Sequence, residues 1–479
     1  MSSYVLNPNI PHQRYFEDMT RIPHGSYHEQ AYSDYLVRFA EDHGLRYRQY
    51  DSGSVIIYKP AASGYEDHTP VMLQAHIDMV WEKTPESTHD FEKDPLTLVI
   101  RDGQLWADGT TLGADDGAGV AYMLSILENA SLPHPPLECV FTVREEADMA
   151  GAFSVQAEDI AARRMIGLDD MGGGKTTYIT SAGGADGTLS LRFPVQAPDA
   201  PCYQLQIDGL LGGHSGVYID SELGNAIKCA VRILAALREV SPLCLASLKS
   251  GLHDNVIPRD CEAVFATSLP PAQVRQIVRE VTVSLQKELR SSDPDLSVSL
   301  HKASCASTLT ESDSATLLDL LYLFPHGRRH KSMELPGLIT ASENLAAVDL
   351  HDGEFSLLYS VRAMFESHLD MLENEIRILA GLFGCDHRIG DRYPSWEYRK
   401  ASPIRELLQT LVRERTGEDL TLLPVHGGLE CGVFSRMHPD MEIVTLGPLM
   451  YDVHTPDEHL DLQSFDEIHD LLLEMLKRL

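Results

Sequence analysis

The residues that invite a chemical reading are histidines and carboxylates that close apolar runs. Val140-Phe141-Thr142-Val143-Arg144 leads straight into Glu145 and Glu146. Four other apolar stretches end alike. Val71-Met72-Leu73-Gln74-Ala75 ends in His76-Ile77-Asp78, and Leu112-Gly113-Ala114 in Asp115-Asp116-Gly117. Met165-Ile166-Gly167-Leu168 ends in Asp169, and Ile443-Val444-Thr445-Leu446-Gly447 precedes His454. In an open α/β sheet, ligands gather beyond the carboxyl ends of the strands. Five strand ends carrying His, Asp, Glu, Asp and His read as one cluster. The chemistry such a cluster performs is two-metal hydrolysis.

Each member has a plainer reading on its own. His76 and Asp78 share a face of a strand, so Asp78 can fix the imidazole tautomer while the other ring nitrogen meets a metal; a surface pair would look the same. Asp115-Asp116-Gly117 is equally a turn with a helix cap. Glu145 and Glu146 are harder to set aside. The run before them is too apolar for an edge strand, and unpaired buried carboxylates are costly. A cation compensates them, one acid ligating while its neighbour handles a proton. Carboxylates with one histidine per ion and no thiolate suit Zn²⁺, Co²⁺ or Mn²⁺ over copper or iron–sulfur.

The elements that must hold these residues follow from the apolar patterning. A chain of 479 residues is long for one core, so two domains are expected. Residues 10–50 read as helical, with Tyr32, Tyr35, Leu36, Phe39 and Ala40 at helical spacing. Val55–Tyr58, Val71–Ala75, Leu137–Val143 and Met165–Leu168 read as buried strands, and Val120–Leu127 as a buried helix. This alternation indicates a doubly wound sheet. After Ser181 the character changes. Leu189–Phe193 and Tyr203–Ile207 alternate polar and apolar residues, as in a sheet with one wet face. Strand–helix–strand order occurs around 203–240 and again around 354–390, so the second domain is expected to be internally duplicated. Pro403–Glu414 and Phe465–Leu479 as helices, with Leu420–Leu423 and Met441–Leu446 as strands, return to the first domain. The expected fold is α/β: a mixed, doubly wound catalytic domain with an inserted α+β domain. The expected boundaries are 1–187, 188–392 and 393–479.

Bulk properties exclude several classes. The formal charge of −32 disfavours nucleic acid, which calls for clustered Lys and Arg, and an anionic membrane surface. The eight scattered cysteines form no CxxC pair and read as reduced thiols. Met1-Ser2-Ser3-Tyr4 opens no leader-like segment, and no apolar run approaches the ~20 residues that span a bilayer. A cytoplasmic protein is expected.

The motifs also carry a resemblance that runs nearly end to end. His76-x-Asp78, Gly113-Ala114-Asp115-Asp116-Gly117, Glu145-Glu146, Asp169 and His454-Thr455-Pro456-Asp457-Glu458 resemble the ligand set of the co-catalytic zinc peptidases, the group that includes aminoacylase-1 and carboxypeptidase G. Gly212-Gly213-His214-Ser215-Gly216, Tyr393-Pro394-Ser395-Trp396 and His426-Gly427-Gly428-Leu429-Glu430-Cys431-Gly432 are similar to the aminoacyl-histidine dipeptidase branch. The resemblance implies two divalent ions, Zn²⁺ foremost. His76, Asp115 and Asp169 would hold one; Asp115, Glu146 and His454 would hold the other, with a cis peptide at Asp115-Asp116. It implies Glu145 as general base, residues 188–392 as a lid, and His214 on that lid reaching over the metals to polarise the scissile carbonyl. Asn255, Asn344 and Arg362 match lid residues that contact substrate. Arg362 would take the terminal carboxylate, although a surface strand arginine reads the same. Glu430 would meet the substrate ammonium, or else cap a helix or join a core network. The chain departs from the family at Gly167-Leu168-Asp169-Asp170, where Asn-x-Asp is usual; we take Asp169 as the ligand. Arg144 and Ala147-Asp148 around the glutamate pair are also unusual.

The expected activity is hydrolysis of unblocked dipeptides, with Xaa-His or carnosine-like dipeptides as candidates. The expected partners are a small dipeptide and, through the lid, a second copy in a homodimer. An N-acyl amino acid deacylase or a carboxypeptidase would use the same chemistry, and a binding protein that has lost catalysis would keep the fold.

Overall fold

The computed structural model describes residues 4–390 and 392–479. Met1–Ser3, on which the expectation of no leader rests, and Asp391, inside the expected lid, lie outside the described residues. The chain forms two compact units: Met1–Thr180 with Trp396–Pro424 and Leu429–Leu479, and Ser181–Ser395 with Val425–Gly428. The second unit starts earlier than residue 188 because its strand Gly183–Arg192 does. It also takes back the short stretch 425–428, which the sequence assigned to the first.

The first unit is built on a six-stranded mixed sheet. Its order is Arg46–Gln49, Val55–Lys59, Leu137–Thr142, Val71–His76, Arg164–Gly167, Glu442–Thr445. The first two junctions are antiparallel and the other three parallel. Every residue of the strands Val55–Lys59, Leu137–Thr142 and Val71–His76 is buried, which is why they read as unbroken apolar runs. Alternate residues enter different cores. Val55 and Ile57 pack with the helices Pro11–Met19, Ala114–Glu128 and Leu462–Arg478, while Ile56 and Tyr58 pack with Trp396, Val433 and Phe434 on the other face. The helix Ala114–Glu128 is buried on nearly all sides. Gly119 lets it approach closely, since a Cβ there would lie 2.6 Å from Leu168 Cβ.

Residues 10–50 are not one helical region. Pro11–Met19 and Gln30–Asp42 are separate helices, and Arg46–Gln49 is a strand. The Pro-punctuated stretch before Asp108 holds the hairpin Leu98–Arg101/Gln104–Ala107. It belongs to a four-stranded sheet with His459–Asp461 and Met450–Tyr451.

Where the helices Pro11–Met19, Ala114–Glu128 and Leu462–Arg478 meet, two imidazoles stack, His12 on His469, with ring centroids 4.1 Å apart. His12 Nε2 lies 2.7 Å from Asp466 Oδ1. Ser125 Oγ donates to Tyr122 O and so accepts from His469 Nε2–H at 2.7 Å. Burial holds both rings below their ordinary value of 6.5, His469 at about 3, with Asp466 opposing the shift at His12. The folded protein keeps these rings neutral where the unfolded chain would protonate them. Their contribution is therefore present above pH 6.5 and is lost as pH falls from 6.5 towards 3, by about 1–2 kcal/mol at pH 5. Thermal denaturation across this range should show a shallower acid decline in His469→Gln than in the wild type. Equal slopes would remove this pair as a cause.

The second unit carries an antiparallel nine-stranded sheet. Its main path runs Ser297–Ala303, Cys202–Asp208, Cys261–Thr267, Leu243–Ser250, Ile339–His351, Glu354–Ala363, Gly183–Arg192, Asp386–Ile389, with Gly327–Lys331 pairing with Ile339–His351. Four helices, Ala226–Arg238, Pro271–Glu288, Glu311–Leu323 and Glu366–Phe383, share one core with the sheet. On the main path, Cys202–Asp208, Leu243–Ser250, Cys261–Thr267 and Ser297–Ala303 lie side by side in the order fourth, first, third, second, and so do Gly183–Arg192, Ile339–His351, Glu354–Ala363 and Asp386–Ile389, with Gly327–Lys331 as an extra strand beside the latter set. In the chain, the first of these sets falls between the strand Gly183–Arg192 and the helix Glu311–Leu323.

No helix among the described residues is long and apolar enough to cross a membrane.

Candidate active site

Three sheet strands of the first unit deliver their ends to one place. His76 is the last residue of its strand, 1% exposed. Its Nδ1 lies 3.0 Å from Asp78 O and its Nε2 3.1 Å from Asp115 Oδ1. Glu145 and Glu146 follow Leu137–Thr142 after a tight turn in which Arg144 takes a φ of +61°. Asp169 follows Arg164–Gly167. The other two ligand candidates arrive differently from the expectation. Asp115 does not end a strand; it lies at the kinked start of the helix Ala114–Glu128, two residues after Gly113 at φ +68°, and is joined to Asp116 by a cis peptide. His454 is on the loop between Met450–Tyr451 and His459–Asp461, well past the sheet strand Glu442–Thr445.

Ligand-type atoms of His76, Asp115 and Asp169 lie within 4.8 Å of one another, as do those of Asp115, Glu146 and His454 and those of His76, Glu145 and Glu146. Asp115 belongs to the first two trios. Its Oδ1 faces His76, and its Oδ2 lies 3.5 Å from His454 Nε2, which is 2.7 Å from Glu146 Oε1. Asp169, rather than Asp170, enters the cluster. Asp170 is turned to Thr445 Oγ1 at 2.5 Å and to the Gly172 N–H.

The electrostatics of this group call for positive charge. Burial, together with Asp115 and Glu146, pushes the Asp169 carboxyl up to about 7, His76 opposing. Burial also holds Glu145 well above the ordinary carboxylate range, with Asp169, Glu146 and Glu430 adding to it against His76. His454 is raised to about 11 by its bonds to Asp115 and Glu146. Four carboxylates with two imidazoles and no thiolate form a donor set that divalent cations fit.

A further layer of acids grips main chain. Asp78, 1% exposed, accepts from the Glu145 N–H at 3.0 Å and the Glu146 N–H at 3.2 Å, and from Ser26 Oγ at 2.8 Å. It thereby fixes the glutamate pair as well as the imidazole. Glu29 accepts the Arg144 N–H at 3.1 Å. The Arg144 guanidinium is engaged by Asp148 and lies 4.7 Å over the Tyr27 ring. Glu458, 2% exposed, accepts from the main chain of Leu112 to Asp115.

Glu430 is engaged from the core side. It opens the helix Glu430–Met437, is 3% exposed, and its Oε2 accepts from Gln74 Nε2 at 2.7 Å and Thr142 Oγ1 at 2.6 Å. Burial pushes its carboxyl up to about 8. Its Oε2 thus joins a core network, the alternative reading of this residue, while its Oε1 has no hydrogen-bond partner.

Residues 72–478 match peptidase family M20/M25/M40. The chain belongs to that family. It is a peptidase, hence a hydrolase. It is 34% identical over 468 residues to the cytosol non-specific dipeptidase of Escherichia coli strain K12, covering 97% of this chain and 96% of that protein. Its structure is similar to that of aminoacylhistidine dipeptidase from Vibrio alginolyticus, at a TM-score of 0.89 and 31% identity over 99% of this chain and 97% of that one. This is the branch to which the sequence motifs point. Aminopeptidase PepT from Bacillus cereus ATCC 10987, 15% identical, shares the fold at a TM-score of 0.56 over 98% of each chain.

The second unit of this M20/M25/M40 peptidase gathers the remaining candidates. His214 pairs with Val256 across the short ladder Gly213–His214/Val256–Ile257. Burial and the charge of Arg362 hold its imidazole below the ordinary value, hence neutral at pH 7. The Asn255 carbonyl accepts the Ser215 N–H at 2.7 Å. Asn344 is buried, and its Nδ2 donates to Asp254 O and Val256 O, both at 2.9 Å; it holds the segment that carries Asn255. Arg362 is only 9% exposed, so it is no surface arginine. Its Nη1 donates to Tyr393 Oη at 2.7 Å, and its Nε has no hydrogen-bond partner. Sequence reasoning quoted Tyr393, His426 and Glu458 inside motifs without giving them roles, and it missed Ser26. Nothing in the spacing around Ser26 marks it, because its partner Asp78 lies far along the chain.

Proposed function

We propose that this peptidase hydrolyses unblocked dipeptides, Xaa-His dipeptides among them, using two divalent cations. Zn²⁺ is the native choice on the donor set, and Co²⁺ or Mn²⁺ can replace it. His76, Asp115 and Asp169 would hold one ion; Asp115, Glu146 and His454 would hold the other. The observation that carries the reading is the sharing of Asp115 between two ligand trios, with Glu145 beside them and bonded through its own N–H to Asp78. When bound, such ions acidify water and polarise a carbonyl. Glu145 takes the proton from the attacking water and returns it to the departing amine, and its raised proton affinity suits it to hold that proton between the two events. Asp78 keeps the Glu145 main chain and the His76 tautomer fixed through the cycle. We assign His214, as a neutral imidazole, to donate to the developing oxyanion, and Arg362 to pair with the substrate's free carboxylate. Asn255 and Asn344 are assigned to the substrate-contacting loop of the lid. The relatives' names and the acidic composition support a cytoplasmic dipeptidase, and we keep a homodimer through the lid as its proposed assembly.

Substrate blocking tests this reading. A C-amidated dipeptide places a neutral amide against a buried guanidinium, a mismatch of several kcal/mol. We expect the free dipeptide to be cleaved at least ~10²-fold better than its amide by kcat/KM, and Arg362→Ala to narrow that ratio. If an N-acetylated substrate proves best, the protein is a deacylase or carboxypeptidase instead.

A further inference from the structure

Glu458 is a buried acid to which the proposed reaction gives no step. Its carboxylate is 2% exposed and is surrounded by consecutive main-chain donors of one loop. Oε2 accepts from the Leu112 N–H at 2.8 Å and the Gly113 N–H at 3.1 Å. Oε1 accepts from the Ala114 N–H at 2.8 Å, with the Asp115 N–H at 3.5 Å. Four successive amides converge on one side chain because Gly113 adopts a left-handed conformation, φ +68° and ψ 32°. A side chain there would be strained by that conformation and would crowd Met79, its Cβ lying 3.0 Å from Sδ. These donors lie in the turn that precedes the regular part of the helix, since Asp115 and Asp116 have non-helical backbone angles. The last residue in the grip is Asp115, the carboxylate common to both ligand trios. Glu458 is also four residues beyond His454, a member of the second trio, and its own N–H donates to Thr455 O at 3.0 Å. One short loop thus supplies a ligand candidate and clamps the main chain of another.

We propose that Glu458 is a positioning residue that sets Asp115 to face both ions at once. This rests on the two-metal reading above. Removal of the grip should therefore weaken both ions together. Loss of a ligand confined to one trio, such as Glu146, should weaken only one.

The test is a Zn²⁺ titration of metal-free enzyme by calorimetry, in wild type, Glu458→Gln and Glu146→Gln, with folding checked by circular dichroism. Outer-layer partners of metal ligands typically contribute ~10–100-fold in affinity, and Glu458→Gln should lose that much at both sites while Glu146→Gln loses it at one. Wild-type affinity at both sites in a folded Glu458→Gln protein would overturn the proposal. So would weakening at a single site, which would mean that Glu458 acts through the His454 loop alone. Should Glu458→Gln not fold, Glu458→Asp keeps the charge but shortens the reach. With Co²⁺ bound, its visible absorption should then differ from the wild type in band position, and an unchanged spectrum would overturn the idea. A wild-type protein that binds no Zn²⁺ in the same titration would overturn the two-metal reading itself, and this proposal with it.

Discussion

Glu145→Gln folds, keeps its metal content and loses ~10²–10⁴-fold in kcat, the range by which a positioned general base accelerates proton transfer. The amide is nearly isosteric but cannot accept a proton. The hydrogen bond that places residue 145 runs from its main-chain N–H to Asp78, and that bond survives the substitution. Burial and neighbouring acids hold the Glu145 carboxyl ready to keep a proton, and this property disappears with the carboxyl. His214→Ala should share the profile with a smaller loss, ~10²–10³-fold in kcat, because it removes one donor to the oxyanion and no ligand. The measurement is steady-state kinetics alongside metal analysis of the same preparations. A Glu145→Gln protein that retains wild-type kcat would take the residue out of the reaction. One that loses metal as Glu146→Gln does would make Glu145 a ligand, as its place in the trio with His76 and Glu146 allows.

Removal of metal has the larger effect. Exhaustive chelation abolishes hydrolysis, and Zn²⁺, Co²⁺ or Mn²⁺ restores it. Four acids, Asp115, Glu145, Glu146 and Asp169, converge on a partly buried site with two imidazoles, and the price of that convergence without a cation is like-charge repulsion in a poorly solvated place. Metal binding relieves it and should raise the melting temperature as ligand binding to the folded state does. Activity and melting temperature, measured on a preparation shown by mass spectrometry to be metal-free and again after each metal is added, decide the point. Full turnover in the metal-free protein would end the two-metal reading.

Much of this was legible in the chain, and the failures have physical causes. His76, Glu145, Glu146 and Asp169 could be found because strands buried on both faces are written as continuous apolar runs, and a charged residue at the end of such a run stands out. Asp115 and His454 were named by the same strand-end argument, but one stands at the start of a helix and the other on a loop. Glu430 was left with two readings because nothing local distinguishes a carboxylate facing a ligand from one facing Gln74 and Thr142 across the core. That difference lies in residues more than three hundred positions earlier, at Gln74, and two hundred and eighty-eight earlier, at Thr142. The hairpin at Leu98–Ala107 was missed although its turn is signalled. Asp102-Gly103 both take positive φ, 49° and 79°, the pairing that two-residue hairpins favour. The charges of Arg101 and Asp102 masked that signal.

The order in which the sheet of the first unit is filled bears on how the protein is made. Its last strand, Glu442–Thr445, pairs with Arg164–Gly167, and the whole second unit is translated between them. At roughly 5–20 residues per second, the nascent chain carries an unpaired Arg164–Gly167 edge for tens of seconds. Such edges are open to pairing with other chains, so this one is exposed to mispairing until Glu442–Thr445 arrives. His454 and Glu458 emerge later still. The proposed catalytic centre therefore cannot be complete until that segment has emerged, and maturation of the peptidase is timed by it.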